Sequence, residues 1–329
     1  MKKEDTAEAI DRRAFLIRVA KAGACAAATG AGAWLLHKEE VRTHTAEDAG
    51  AAIPDYSLTG RKPALVVVRG ASRERTLQRA VSGLGGIETF VSPGDRVLIK
   101  VNAAFASPPS LSATSHPDLV AAAVRMCRKA GAASVSVTDN PINDPASCFA
   151  LTGIEAAARS AGAEVILPRE KSFAAYTVPG ATLIRRWPVL IEPLLAADKV
   201  IGLAPLKDHH RSGASMTLKN WYGLLGGRRN IFHQDVHTVI KELAMMIRPT
   251  LVVLDATTAM VSNGPTGGSL SDLKRLDTLI AGTDPVAVDA YGAHLLERPI
   301  AELAFIALAE QAGLGTADWR SLHPDVMDL

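Results

Sequence analysis

Cysteine is scarce in this chain: Cys25, Cys127 and Cys148 are the whole supply in 329 residues. Cys25 sits in an N-terminal segment, so two thiols remain for the body. They are too few for the four ligands of a typical iron–sulfur cluster, and neither belongs to a Cys-x-x-Cys pair. Cys127 reads as a small buried apolar residue of a helix rather than as one half of a disulfide with Cys148. Aromatic residues make up only 5% of the chain. Charge imbalance is missing too: residues 1–36 hold six Lys/Arg and four Asp/Glu, leaving 30 of each sign in the rest. A neutral body poor in aromatics lacks the basic face and the stacking platforms of a nucleic-acid binder. No Gly-x-Gly-x-x-Gly follows a strand, and there is no Gly-x-x-x-x-Gly-Lys-Ser/Thr loop, which disfavours a standard dinucleotide fold and a P-loop NTPase. The absence of a Gly-x-Ser-x-Gly elbow disfavours an ordinary α/β-hydrolase.

The N-terminus carries a clear local signal. Asp11-Arg12-Arg13-Ala14-Phe15-Leu16-Ile17 resembles the twin-arginine export motif, and the apolar run that follows, 22–36, is Ala/Gly-rich and 15 residues long. A membrane-spanning helix needs about 20 apolar residues, so the segment is expected to be an export signal or a retained N-terminal tether. Ala22-Gly23-Ala24 before Cys25 makes a poor lipobox. The expected location is periplasmic or otherwise extracytoplasmic, with the twin-arginine translocase as a partner during export. Residues 37–61 are polar and turn-rich and read as a linker into a single α/β domain over 62–329.

With 48% hydrophobic residues, that domain can bury a substantial core. Short apolar runs alternate with helical stretches. Strands are expected at 64–68, 96–101, 134–138, 164–167, 199–203, 251–254 and 278–281. Continuous runs such as Val66-Val67-Val68 and Val252-Val253-Leu254 suit strands covered on both sides. The fold class that follows is α/β, a mostly parallel sheet with helices on both faces. Pro117 fits the first turn of a helix over 119–130, and Gly131 its stop. Further helices are expected at 154–160, 235–247, 285–296 and 300–312.

In parallel α/β sheets, ligands bind beyond the carboxyl ends of the strands. Polar residues collect there: Lys100 and Asn102, Asp139 and Asn140, Lys207-Asp208-His209-His210, Asp255, and Asp284. If all these strands are parallel, five ends deliver them to one rim. The segment 205–233 is the richest, with three histidines, Lys207, Lys219, Arg228, Arg229 and the pair Gly226-Gly227. Ammonium and guanidinium groups meet oxyanions, and glycines let backbone N–H groups approach them. A small anionic molecule bearing phosphate or carboxylate is therefore the expected ligand. Lys100, Asn102, Asn220, Asp255, Asn263 and Asp284 are its candidate binders; His209, Lys207 and Lys219 are the catalytic candidates, since a desolvated lysine acts as a base near neutral pH or forms a Schiff base. A divalent metal competes for the same residues, with His209 and His233 as candidate ligands. His233 and His237 stand at i and i+4, where they could share a helix face. The loop around Asn263-Gly264-Pro265-Thr266 is a tight turn with access to positive φ.

At these positions the sequence resembles domain-of-unknown-function family 362. The residues that carry the resemblance are 97–102 (ending Lys100-Val101-Asn102), Pro205-Leu206-Lys207-Asp208-His209, Leu218-Lys219-Asn220-Trp221-Tyr222-Gly223 and 283–289 with Asp284 and Asp289. The resemblance spans roughly 62–297 and marks Lys100, Asn102, Lys207, His209, Lys219, Asn220, Asp284 and Asp289 without assigning them roles. It implies that many relatives are associated with iron–sulfur clusters through added cysteine-rich segments; this chain has none, so no cluster is expected within it and its cofactor stays open. The reading favours an exported enzyme, with a non-catalytic binding or cofactor-delivery protein of the cell envelope and a metal-dependent or redox-partner protein as the alternatives.

Overall fold

The computed structural model describes residues 52–58, 60–62 and 64–329, together with Arg13 and Lys21. The chain divides into Met1–Thr45 and Ala46–Leu329. In the first unit Arg13 and Lys21 are helical and exposed; the rest of the export motif, the apolar run and residues 37–51 of the expected linker lie outside the described residues. Within 52–61, Tyr56 is buried, and its hydroxyl donates to Leu194 O at 2.8 Å. The expected linker is thus packed at Ile53, Tyr56 and Leu58, while Ala52, Pro54, Asp55, Gly60 and Arg61 are exposed.

The second unit begins with β1 (Leu65–Arg69), α1 (Arg73–Gly83), β2 (Arg96–Lys100), α2 (Pro117–Lys129) and β3 (Ser134–Thr138). Next come α3 (Pro145–Leu151), α4 (Ile154–Ser160), β4 (Glu164–Ile166), β5 (Phe173–Tyr176), β6 (Trp187–Leu190) and α5 (Glu192–Leu195). Then follow β7 (Lys199–His209), β8 (Gly213–Ser215), α6 (Thr217–Asn220), α7 (Val236–Met246), β9 (Leu251–Met260) and β10 (Leu273–Gly282). The last elements are α8 (Pro285–Leu295), α9 (Ala304–Gln311) and β11 (Asp325–Asp328). Among the described residues no helix is long and apolar enough to cross a membrane.

The main sheet has the order β11-β1-β10-β9-β7-β2-β3-β4, with β8 attached to β7. From β9 through β7, β2 and β3 to β4 every neighbour is parallel. β10 runs against both β9 and β1, while β11 returns parallel to β1. The fold is α/β with a mostly parallel block. Strand residues alternate between two cores, as a pleated backbone with period two requires. Leu98, Val200, Val252, Leu254 and Ile280 pack on one side with Trp221, Leu243 and Phe305. Val97, Ile99, Ile201, Val253 and Leu279 pack on the other with Leu77, Leu119 and Ile154. Two covered faces explain the uninterrupted apolar runs, and each aliphatic side chain so buried contributes about 1.5–3 kcal/mol.

Helix ends follow local chemistry. Pro117 opens α2, with His116 Nδ1 accepting from Asp118 N at 3.2 Å. Pro285 opens α8, and the Asp284 carboxylate before it accepts from Val286 N and Ala287 N. A missing proline N–H costs nothing in a first turn, and a carboxylate there satisfies donors that have no partner within the helix. Cys127 and Cys148 are buried free thiols, and burial pushes that of Cys127 up to about 12.

Candidate functional site

β7 is twice as long as its apolar core run because it continues past Leu203 into a polar stretch paired with β8. Beyond a register shift between Pro205 and Lys207, side chains two apart share a face. Lys207 and His209 therefore look into a cavity lined by both, while Asp208 turns away. Asp208 is held there by the Arg298 guanidinium at 2.5 Å and accepts from Gly264 N at 3.0 Å.

The second contributor is α6. Its first turn is nailed down by the buried Asp289 of α8, whose carboxylate accepts from Thr217 N (2.8 Å), Thr217 Oγ1 and Leu218 N (3.0 Å). Burial pushes Asp289 up to about 7 against the opposing pull of those donors. At the other end of the turn, Asn220 staples β2 to β7: its Nδ2 donates to Lys100 O and Leu203 O, and its Oδ1 accepts from Asn102 Nδ2 at 3.3 Å. Lys219, between these anchors, lines the cavity.

The third contributor is the strand-end pair of Lys100 and Asp139. Lys100 Nζ stands 2.7 Å from Asp139 Oδ1, both side chains almost wholly enclosed, and also donates to Val101 O and Asn220 O. Burial pulls Lys100 down and the Asp139 carboxylate opposes that. A Cβ at position 223 would collide with the Asp139 carboxylate and approach Lys100 Nζ to 2.8 Å. Gly223 is required by close approach, not by its backbone angle.

The cavity has a volume of about 710 Å³. Lys207, Lys219, Arg211, Arg229 and three histidines line it, and Asp139, already paired, is its one carboxylate. Phe105, Ile142, Tyr222 and Ile231 supply apolar wall. The Oδ1 atom of Asn102, also a lining residue, is buried with no hydrogen-bond partner among the described residues. His210, His209 and His233 stack in series, with ring centroids 5.1 and 6.0 Å apart and planes within 11°.

Enclosing so many cations raises the cost of each charge. Burial, reinforced by neighbouring Lys219, brings Lys207 down to about 7. Burial and Arg229 bring Lys219 down to about 8. His209, buried and facing Lys219 and Lys207, falls to about 2 and stays neutral at all ordinary pH. Its Nδ1 accepts from Arg211 N (3.2 Å) and Ser212 N (3.3 Å). The proton of the neutral ring therefore sits on Nε2, which makes His209 a hydrogen-bond donor rather than a base. Lys207 Nζ donates to Ala113 O at 2.6 Å, whereas Lys219 Nζ lies 4.9 Å above the Tyr222 ring.

Seven residues expected from the sequence come together here: Asn102, Lys207, His209, Lys219, Asn220, His233 and Asn263 all line the cavity. Lys100 lies against it through Asp139. Two do not. Asp284 is at the far rim, because β10 is antiparallel and its carboxyl end meets the start of β9; there it caps α8 and accepts from Thr316 N at 3.0 Å. Asp255 is in the middle of β9, not at its end, and its carboxylate faces α1, where Arg73 Nε holds it at 2.6 Å. Nor do His233 and His237 share a helix face. His233 belongs to a 3-10 turn, and His237, in α7, stacks on Phe305 at 6.0 Å. Both Nδ1 atoms of the proposed metal pair are engaged, that of His233 by the Tyr222 hydroxyl and Asn230 O at 3.2 Å. Among the described residues no group of three His, Cys, Asp or Glu is placed to hold a metal ion.

From the sequence Arg229 was one of the cations of segment 205–233 and Tyr222 part of a motif, and neither was given a place in the site. Arg229 clamps the rim by donating to Tyr222 O, Leu225 O, Asn140 O and Pro141 O. The signal available was its place after Gly226-Gly227, which marks close backbone approach but not which arginine turns inward.

The family profile described as "Domain of unknown function (DUF362)" matches residues 97–294, more than half of the chain and the whole of this site. A curated relative, the Thylakoid-associated protein sll1697 of Synechocystis sp., is 27% identical over 248 residues, covering 73% of this chain and 74% of the relative. Among solved structures, the lactate racemase apoprotein from Thermoanaerobacterium thermosaccharolyticum aligns with a TM-score of 0.40 at 12% identity, over 77% of this chain and 60% of that one.

Proposed function

The chain belongs to the DUF362 family, and from that premise we propose that it is an enzyme acting on a small anionic substrate held at the carboxyl ends of the parallel strands. One observation carries the reading: four Lys and Arg side chains line the cavity, and its one carboxylate is already spent on Lys100. Such a wall is electrostatically incomplete until a carboxylate or phosphate enters. The unpartnered Asn102 Oδ1 adds a fixed acceptor for a substrate hydroxyl or amine.

The chemistry follows from the protonation states. Lys207, brought down to about 7, is divided between amine and ammonium at neutral pH and suits proton transfer to and from carbon or oxygen. His209 offers Nε2–H to a developing oxyanion without gaining charge. The test begins with inorganic phosphate, titrated by calorimetry, and continues with a panel of carboxylates and phosphate monoesters followed by NMR for deuterium uptake from D₂O. Binding, with uptake abolished by Lys207→Gln, is the expected result. Binding with no exchange or turnover for any compound would leave a non-catalytic ligand-binding or delivery protein. No anion binding at all would overturn the reading.

Export is proposed on the sequence motif Arg12-Arg13. Replacing both by lysine should hold the chain in the cytoplasm; an unchanged envelope fraction would refute it.

A further inference from the structure

We propose that Lys219 is a covalent nucleophile, and that the substrate is a small oxo-carboxylate whose carbonyl carbon it captures as an imine. The proposal deepens the anionic-substrate reading and rests on it.

The three lysines of the site differ in what they touch. Lys100 is spent on Asp139, and Lys207 donates to Ala113 O. Lys219 is only 8% exposed, lines the cavity, and meets neither a carboxylate nor a hydrogen-bond acceptor among the described residues; the Tyr222 face is its one cation-binding neighbour. A buried ammonium without acceptors is a poor resting state, whereas a buried amine with a free lone pair is a good one. Arg229 pushes the same way, and the amine is half-populated at about pH 8. The backbone below it is fixed at both ends, by Asp289 on Thr217 and Leu218 and by Asn220 across β2 and β7. Fixed backbone and free amine together make a positioned nucleophile.

An anionic carbonyl compound matches the rest of the wall. Arg229 is spent on four backbone carbonyls, so Arg211, whose guanidinium has no partner among the described residues, is the cation left for its carboxylate, and His209 Nε2–H is the donor for its carbonyl oxygen. The Lys219 amine lone pair attacks the carbonyl carbon, forming C–N; the carbonyl oxygen takes up the proton that nitrogen loses, giving a carbinolamine. The C–O bond then breaks, the second nitrogen proton leaves with that oxygen as water, and the C=N bond remains. No oxidant or reductant is consumed.

The experiment treats the full-length protein with pyruvate or glyoxylate and sodium cyanoborohydride, then maps the reduced adduct by peptide mass spectrometry, with inorganic phosphate as competitor. The expected result is one adduct on Lys219, suppressed by phosphate, faster as pH rises toward about 8, and lost in Lys219→Arg. Phosphate binding without any adduct would overturn the nucleophile and leave the anion site standing, as would an adduct on Lys207. Adducts scattered over surface lysines with no phosphate binding would sink both. Should Lys219→Arg fail to fold, the mapped position in the unmodified sequence decides the matter by itself.

Discussion

The two rims of the sheet bury charge in opposite ways. At the far rim, Asp284 accepts from three backbone N–H groups, those of Val286, Ala287 and Thr316, and so has a structural duty. At the near rim, the buried Lys207 and Lys219 have one acceptor between them among the described residues, Ala113 O. A buried charge whose bonds are all made holds the fold together; one whose bonds are missing is waiting for a ligand. Asp289 and the Lys100–Asp139 pair lie between the extremes, fully bonded groups whose duty is to place the unbonded ones.

Breaking the placing groups should do the most damage. Asp139→Ala strands the buried Lys100 cation and is expected to cost about 3–5 kcal/mol, read as a lower midpoint in urea. Gly223→Ala should approach the same loss, because its methyl group displaces the Asp139 carboxylate. Asp289→Asn keeps the shape but turns one acceptor into a donor facing Thr217 or Leu218, for an expected loss of about 1–3 kcal/mol. Its added signature is a slower capture of pyruvate at Lys219, which a purely structural role elsewhere would not give.

The comparison is sharpened by pH. Lys207 and Lys219 have folded values below their unfolded ones, so their contribution to stability is present at high pH and lost as pH falls from about 10.5 to about 7. An anion reverses that loss by favouring the ammonium forms. Phosphate should therefore raise the melting temperature more at pH 6 than at pH 9, with affinity changing up to about tenfold per pH unit where one proton is taken up; a pH-independent shift would contradict the lysine site. The smallest expected effect is on binding at the far rim. Asp284→Asn should lower stability yet leave phosphate affinity within about twofold, since a site this distant acts nearly independently.

Much of this was legible in the residues. The runs at Ser134–Thr138 and Ile154–Ser160 form the expected elements to the residue. The near rim follows from polar residues at the ends of β2, β3 and β7. Strand direction was not legible, since an apolar run covered on both faces reads the same parallel or antiparallel; β10 therefore carried Asp284 to the wrong rim. β9 outran its apolar stretch by six residues, to Met260, which left Asp255 mid-strand. Helix α1, rich in arginine, went unread because just four of its residues, Thr76, Leu77, Ala80 and Val81, are buried. The pairing of Lys100 with Asp139 was out of reach, because no local pattern ties residues so far apart.

A single helical turn rotates about 100° per residue, and in α6 that rotation divides labour between neighbours. Asn220 is the seam between two strands; Lys219 is the tool presented beside it. Because the seam's bonds do not pass through the tool, position 219 is interchangeable in a way that position 220 is not. An engineer wishing to install new chemistry in this scaffold would begin at residue 219 and leave its neighbour alone.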